Sequence, residues 1–231
     1  MVGAYLLGSV PASYLAAKWA RGIDLRQYGT GQVGGGNLWR LTSWKLALPV
    51  SIFDMTKGLW LVWAAESLGL NISQQIIVGL GTIIGHNWSI FLRFGGGRGV
   101  GATLGVILIL PLINEMSPIP TITFFALLII GVIVTRRSPV PVLASVTSMP
   151  IASWLSGEPL PVTLAFLAIF LVIVARRLAV PRQAGVSVGK GELFINRLLF
   201  DRDIRDREAW LYRAPPGQTW QRKTKDKTTR G

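Results

Sequence analysis

The segment PIPTITFFALLIIGVIVTRR, residues 118–137, decides the fold class of this 231-residue chain. Its first 18 residues carry no charged side chain, and a pair of arginines, Arg136 and Arg137, follows them. A run of about 20 apolar residues is long enough to cross the hydrocarbon core of a bilayer as one helix. The segment therefore predicts a membrane-spanning helix that ends in a basic loop.

The same apolar pattern recurs along most of the chain. Charged residues make up 15% of the sequence, whereas soluble domains carry about 25%. The sequence predicts an all-α, polytopic membrane protein of about seven transmembrane helices with glycine-rich cytoplasmic loops. The predicted spans are residues 2–20, 46–65, 72–93, 99–114, 118–135, 139–155 and 159–175. Pro141 and Pro150 predict kinks or breaks in the later spans.

Basic residues alternate between the loops that connect these spans. Even-numbered loops contain no lysine or arginine, only Glu66, Glu115 and Glu158. Under the positive-inside rule, this pattern predicts an N-terminus outside the cell, with the odd-numbered loops and the C-terminal tail in the cytoplasm. The basic residues of the odd-numbered loops are Arg21, Arg26, Arg40, Lys45, Arg93, Arg98, Arg136 and Arg137.

The composition divides the chain into two parts. Residues 1–175 form the predicted transmembrane domain, and residues 176–231 form a tail with 14 basic and 6 acidic side chains. A basic tail after a membrane span is expected to face anionic lipid rather than nucleic acid. Residues 191–213 predict a partly interfacial helix, with apolar side chains on the membrane and arginines toward lipid phosphates. The end of the tail, from residue 214, is expected to be disordered.

Two glycine-rich stretches imitate nucleotide-binding motifs. GTGQVGGGN, residues 29–37, satisfies G-x-G-x-x-G, but it lies in a short loop between two spans, with no room for the required strand–loop–helix unit. GGRGVGAT, residues 96–103, has the glycine spacing of a Walker loop, but Ala102 stands where that loop requires lysine. Both the nicotinamide-binding and the ATPase interpretations are therefore excluded.

The two stretches instead predict an anion site. Glycine loop 1 (residues 29–37) and glycine loop 2 (residues 95–101) fall on the same predicted face of the membrane, accompanied by Arg40 and Arg98. Glycine allows backbone N–H groups to surround a phosphate, and guanidinium adds a permanently charged, bidentate partner. The pair predicts a site for two phosphates, or for one phosphate held from both sides. Turn formation and membrane orientation alone would also account for either loop.

Three polar residues inside predicted spans are candidates for a functional role. Asp54 and Lys57 lie three residues apart, on one face of a helix, and His86 is the single histidine. Charged groups inside a span face the protein interior and are usually functional. A self-neutralising ion pair and an interhelical hydrogen bond from His86 are the structural alternatives.

Four sequence blocks resemble the bacterial acyl-phosphate:glycerol-3-phosphate acyltransferases, the PlsY-type family. They cover the first half of the chain in the order that the family shows. The blocks are GSVP at 8–11, DLRQYGTGQVGGGNLWR at 24–40, DMTKG at 54–58 and GHNWSIFLRFGGGRGVGAT at 85–103.

Several positions depart from the family pattern. Thr30 and Gln32 replace a serine and an asparagine, and Arg98 replaces a lysine. Gly95 replaces another lysine, so a positive charge is lost. Arg176 and Ala179 occupy the positions of a histidine and an asparagine in the last span. Gly35 and Gly36 replace alanine and threonine.

The resemblance implies transfer of a fatty acyl group from acyl-phosphate to the 1-hydroxyl of glycerol-3-phosphate, which gives lysophosphatidate for phospholipid synthesis. It implies no metal and no cofactor, because the donor is already activated, and it implies membrane lipids but no nucleic acid as partners. The expected catalytic residues are Thr30, Arg40 and Arg98. The expected substrate-binding residues are Gly29, Gly31, Asn37, Lys57, His86, Gly96 and Gly97.

Two other functions are compatible with these features. A non-catalytic relative could bind phosphorylated lipid precursors or another membrane protein, and the changes at Gly95, Arg176 and Ala179 would favour it. A transporter of a phosphorylated solute would share the basic loops, but it would normally contain internal repeats. No repeat is evident in this sequence.

Overall fold

The computed structural model describes residues 1–180 and 188–212, and every regular element in those ranges is helical. This confirms the all-α prediction. The helices are α1 Val2–Gly8, α2 Ala12–Arg21, α3 Gly35–Leu41, α4 Trp44–Ser67, α5 Ile72–Asn87, α6 Val100–Ile113, α7 Ile119–Thr135, α8 Pro139–Leu155, α9 Leu160–Leu178, α10 Lys190–Phe200 and α11 Arg207–Leu211, with a 3₁₀ turn at Ile90–Leu92.

Six of the seven predicted spans correspond to single long helices, α4 to α9. Among the described residues, three helical segments are long and apolar enough to cross a membrane by themselves: Trp44–Ser67, Ile72–Leu92 and Leu160–Leu178. The other three, α6, α7 and α8, are shorter apolar helices. The helix α8 continues through Pro150 rather than breaking there.

The first predicted span is divided into two short helices. The helix α1 ends at Gly8 and α2 begins at Ala12. Pro11 has no N–H group and so cannot donate to the carbonyl groups at the end of α1. The amide of Ala12 donates to Val10 instead, at 3.1 Å. The Gly8 carbonyl, at the end of α1, is thereby available to a side chain from another helix.

Close helix contacts form the centre of the molecule. The helix α4 packs along α6, α1 along α5, and α7 along α8. A side chain at Gly58 would meet the Ala102 backbone, and one at Gly105 would meet the backbone of Met55 and Leu59. Small residues at these positions allow membrane helices to approach closely. The largest buried apolar side chains are Leu25, Leu38, Ile83, Ile107, Phe124, Met149, Phe166, Ile169 and Ile173.

The beginning of the tail folds onto the transmembrane helices. The predicted boundary at residue 175 lies inside α9, where Arg176 and Arg177 are both buried. The helix α10, Lys190–Phe200, lies where the sequence predicts an interfacial helix, but Arg197 on it is buried in the protein rather than directed toward lipid. The exposed apolar side chains of α10 are those of Phe194, Ile195 and Leu199. The stretch from residue 214 lies outside the described residues.

Candidate functional site

Glycine loop 1 is shaped by the side chain of Asn37. Its amide nitrogen donates to the carbonyl groups of Leu25, Tyr28 and Gln32 at 3.0–3.1 Å, and its Oδ1 accepts the N–H of Thr30 at 2.9 Å. The residue is buried at the start of α3. The two amide hydrogens are fully engaged, so Asn37 organises the loop. The expectation that Asn37 binds substrate through its side-chain amide does not fit this geometry.

Left-handed backbone at two glycines allows loop 1 to turn around that amide. Gly29 has φ of 60° and Gly31 has φ of 74°, values that L residues with a side chain rarely adopt. The turn presents Thr30 and Gln32 to a pocket on its outer side. Arg40, one helical turn after Asn37 on α3, is exposed and lines the same pocket. The sequence-predicted residues Thr30 and Arg40 are thus brought together.

Glycine loop 2 is held from below by α9. Arg176 donates from Nε to the Gly97 carbonyl and from a terminal nitrogen to the Gly96 carbonyl, both at 3.0 Å. The N–H of Gly97 donates to the His86 carbonyl at 3.0 Å. Gly96 and Gly97 therefore direct these groups toward protein partners, which differs from the predicted amide contact of Gly97 with phosphate.

Arg98 is the side chain of loop 2 that reaches the outer pocket. Its Nε lies 2.6 Å from Oδ1 of Asp201, and a terminal nitrogen donates to the Arg176 carbonyl at 3.4 Å. Asp201 also accepts a hydrogen bond of 2.7 Å from Nε2 of Gln32 in loop 1. A carboxylate of the tail thus contacts both glycine loops.

One pocket of about 290 Å³ is lined by both glycine loops and by the tail. Of the described residues around it, Asp201 is the sole acidic one. Partial loss of contact with water and the nearby Arg207 lower the pKa of the Arg40 guanidinium. Such crowding of like charges favours an anion, whose binding relieves the repulsion. The seven arginines that line the pocket are Arg40, Arg98, Arg136, Arg137, Arg177, Arg202 and Arg207.

A separate, buried cluster next to glycine loop 2 contains Lys57, Asp54 and His86. The Lys57 ammonium lies 2.9 Å from Oδ1 of Asp54, 2.9 Å from Nδ1 of His86 and 3.0 Å from the Gly8 carbonyl. An ammonium group can only donate, so Nδ1 of His86 is the acceptor in its contact with Lys57. A Cβ atom at Gly97 would collide with Nε2 of this ring. The cluster supports loop 2 and does not line the outer pocket.

The structural alternatives for Lys57 and His86 therefore describe their contacts better than substrate binding does.

Sequence reasoning also left several pocket residues unassigned. The basic pair Arg136 and Arg137 was visible only as a sign of membrane orientation. Nothing in the sequence indicated that Asp201 and Arg207, in a dense mixture of charges, would reach loops more than a hundred residues away.

Among residues 1–180 and 188–212, no group of three or more His, Asp or Glu side chains could hold a metal ion. The pocket is lined by arginine side chains and by residues of both glycine loops, which is the chemistry of an anion-binding site.

Comparisons of the sequence and of the structure with known proteins both find glycerol-3-phosphate acyltransferases. A family model described as glycerol-3-phosphate acyltransferase matches residues 1–183. Glycerol-3-phosphate acyltransferase 5 of Dehalococcoides mccartyi (strain ATCC BAA-2266 / KCTC 15142 / 195) is 40% identical over 219 residues, which cover 92% of this chain and 91% of the relative. Glycerol-3-phosphate acyltransferase of Desulforudis audaxviator (strain MP104C) is 34% identical over 153 residues, 66% of this chain and 74% of the relative.

Two solved structures share the fold. A crystal structure of PlsY (YgiH), an integral membrane glycerol 3-phosphate acyltransferase in its glycerol 3-phosphate form, superposes with a TM-score of 0.70 at 28% identity, covering 89% of this chain and 92% of that one. The lysophosphatidic acid form superposes with a TM-score of 0.66 at 25% identity, covering 92% and 96%.

Proposed function

The chain belongs to the glycerol-3-phosphate acyltransferase family, and on this premise we propose that it takes its acyl group from an acyl-phosphate. The protein is an integral membrane acyltransferase of lipid biosynthesis. The proposed reaction joins the 1-hydroxyl oxygen of glycerol-3-phosphate to the acyl carbon, and breaks the bond between that carbon and the phosphate oxygen. Lysophosphatidate and inorganic phosphate are the products.

The observation that carries this proposal is the convergence of both glycine loops on one pocket with seven arginines. Each substrate of the proposed reaction has a phosphate group, so the site must neutralise two anions that would otherwise repel each other. Arg40 beside Thr30 is suited to one phosphate, and Arg98 to the other, because guanidinium groups bind phosphate in a bidentate manner. Their catalytic contribution is to position the substrates and to stabilise charge on the departing phosphate.

The proton of the attacking hydroxyl is best accepted by the donor itself. Asp201 is the one carboxylate among the described residues of the pocket, and it is paired with Arg98 at 2.6 Å. Both of its carboxylate oxygens already have partners, Arg98 and Gln32. An oxygen of the acyl-phosphate lies within the reacting substrate and can take the proton as the phosphate departs.

We place the pocket on the cytoplasmic side of the membrane, with the N-terminus outside. The loops that carry Arg40, Arg98 and the pair Arg136 and Arg137 alternate along the sequence with loops that have no basic residue. All three basic loops and the tail line the same pocket. Their shared location supports the orientation that the positive-inside rule predicts.

The donor is tested with purified protein in mild detergent. Palmitoyl-phosphate, palmitoyl-coenzyme A and palmitoyl-acyl carrier protein are each supplied with radiolabelled glycerol-3-phosphate, and labelled lysophosphatidate is measured. We expect product with palmitoyl-phosphate alone. Turnover with a thioester but not with palmitoyl-phosphate would refute the proposal that acyl-phosphate is the donor. The family assignment would remain intact. The non-catalytic alternative is not favoured, because curated acyltransferases match 92% of the chain.

A further inference from the structure

Residues 188–212 of the tail are fixed to the transmembrane helices by buried polar contacts. Arg197 lies 2.7 Å from Asp203 through Nε, and it donates to the Leu178 carbonyl at 2.8 Å. Arg177 donates to the carbonyl groups of Leu198 and Pro139, both at 2.7 Å. Hydrogen bonds from charged donors are among the strongest in proteins. The turn after α10 is therefore held in a defined position.

Asp201 stands at that turn. It ends α10 in a left-handed conformation with φ of 56°, and its N–H donates to the Arg197 carbonyl at 3.0 Å. Its two carboxylate oxygens have different partners: Oδ1 lies 2.6 Å from Nε of Arg98, and Oδ2 accepts from Gln32 at 2.7 Å. The side chains of Arg98 and Asp201 are only 13% and 10% exposed. One carboxylate therefore connects the two glycine loops at the wall of the pocket.

We infer that Asp201 is a positioning residue for substrate phosphate, acting through Arg98 and Gln32, and that the tail is part of the substrate site. This inference rests on the proposed assignment of Arg98 to a substrate phosphate. An arginine side chain has many rotamers, and fixing it before the substrate arrives removes an entropic loss from binding. Asp201 contacts Nε, and the Arg176 carbonyl accepts from one terminal nitrogen, so we assign the phosphate contact to the other terminal nitrogen of Arg98. The family model ends at residue 183, before this contact begins.

The same contact could be interpreted as an internal anion that competes with phosphate. The anchoring of the turn argues against that interpretation. A competing group must withdraw when substrate binds, but Asp201 follows α10 directly, and Arg197 and Asp203 hold the chain on both sides of it. A fixed carboxylate is suited to orient Arg98, not to leave it.

The test compares Asp201→Asn with Glu192→Gln, a charge-matched control that is exposed on α10 and does not line the pocket. The KM and the calorimetric Kd for glycerol-3-phosphate are measured in detergent, with a thermal melt for each variant. We expect Asp201→Asn to raise both by about tenfold, the scale of coupling between contacting residues. The control should match the wild type, and Asp201→Glu, which keeps the charge, should recover most of the loss.

A double variant tests whether Asp201 acts through Arg98. In Arg98→Gln protein, adding Asp201→Asn should change the Kd for glycerol-3-phosphate by less than about twofold, because contacting residues that act as a unit are not additive. A full tenfold further loss would overturn the inference.

Each of the other possible results also tests the role of Asp201. A lower KM in Asp201→Asn would make the carboxylate a competitor, and a fall in kcat alone with an altered pH profile would make it a proton acceptor. An unfolded Asp201→Asn protein would assign it to stability. All three overturn the inference. Wild-type protein that is folded but binds no glycerol-3-phosphate would instead refute the phosphate-site assignment itself.

Discussion

Arg176 donates from Nε to the carbonyl oxygen of Gly97 at 3.0 Å, so a residue near the end of α9 fixes the loop that precedes α6. The Arg176 side chain is buried, and its guanidinium lies 5.6 Å from the centre of the Trp88 ring. Arginine at this position, where the family pattern has histidine, is accommodated as a support of glycine loop 2. The departure from the family pattern therefore does not imply an inactive protein.

Arg176→Gln should destabilise the protein and weaken substrate binding together. The carbonyl groups of Gly96 and Gly97 would lose their donor, and an unpaired buried polar group costs about 1–3 kcal/mol. We expect a lower Tm in detergent and a higher KM for glycerol-3-phosphate. Arg205→Gln, an exposed arginine of the tail, is the control. Wild-type Tm and KM in Arg176→Gln would contradict the role assigned to Arg176.

Arg40→Ala should greatly reduce the use of glycerol-3-phosphate while the fold survives. Arg40 is exposed on α3 and has no place in the buried core. Truncating one partner of a charged hydrogen-bonded pair costs about 2 kcal/mol or more, so kcat/KM should fall about 30-fold or more. Lys45→Ala is the matched control, because Lys45 is exposed nearby but does not line the pocket. Normal turnover by Arg40→Ala would show that glycine loop 1 does not bind phosphate.

Lys57→Met alone should be less stable than the double variant Lys57→Met with Asp54→Asn. The single change leaves the buried Asp54 carboxylate without its ammonium partner at 2.9 Å. Removing one member of a buried ion pair costs about 3–5 kcal/mol, whereas replacing both can be nearly neutral. Thermal melts of both variants in the same detergent measure the difference. Equal Tm values would mean that the pair does not neutralise itself in the membrane.

Gly97→Ala should reduce activity by displacing glycine loop 2. The added methyl group would meet the His86 ring and the Val33 carbonyl, and relieving such an overlap costs about 1–3 kcal/mol. We expect a fall in kcat/KM of about tenfold or more, by the same principle. Gly3→Ala is the control, since nothing lies within 4 Å of a Cβ atom there. Full activity in Gly97→Ala would show that the loop tolerates displacement.

The membrane helices were predictable because each one needs a long apolar run with few or no charged residues. The helix α8, Pro139–Leu155, has the predicted bounds, and α7 begins only one residue later than predicted. The break in the first span was missed, although Pro11 marks it. A run of apolar residues has the same hydropathy whether its helix is continuous or interrupted.

The candidate site was predictable where chemistry follows from residue type. Arg40, Thr30 and Arg98 were expected near one another, and all line the pocket. The contacts of Asn37 could not be foreseen, because its partners are backbone carbonyl groups, which every residue has. Asp201 reaches Gln32 across 169 residues, and no local pattern encodes a contact over that distance.

The break between α1 and α2 also bears on how the protein is made. The carbonyl groups of Gly8 and Val10, which receive the Lys57 ammonium, are synthesised 49 and 47 residues before it. Asp54 emerges from the ribosome three residues ahead of Lys57 in the same helix. When α4 enters the bilayer, every partner of its cation except His86 has therefore already been translated. Insertion in chain order never leaves that charge alone in lipid, and the histidine completes the cluster afterwards.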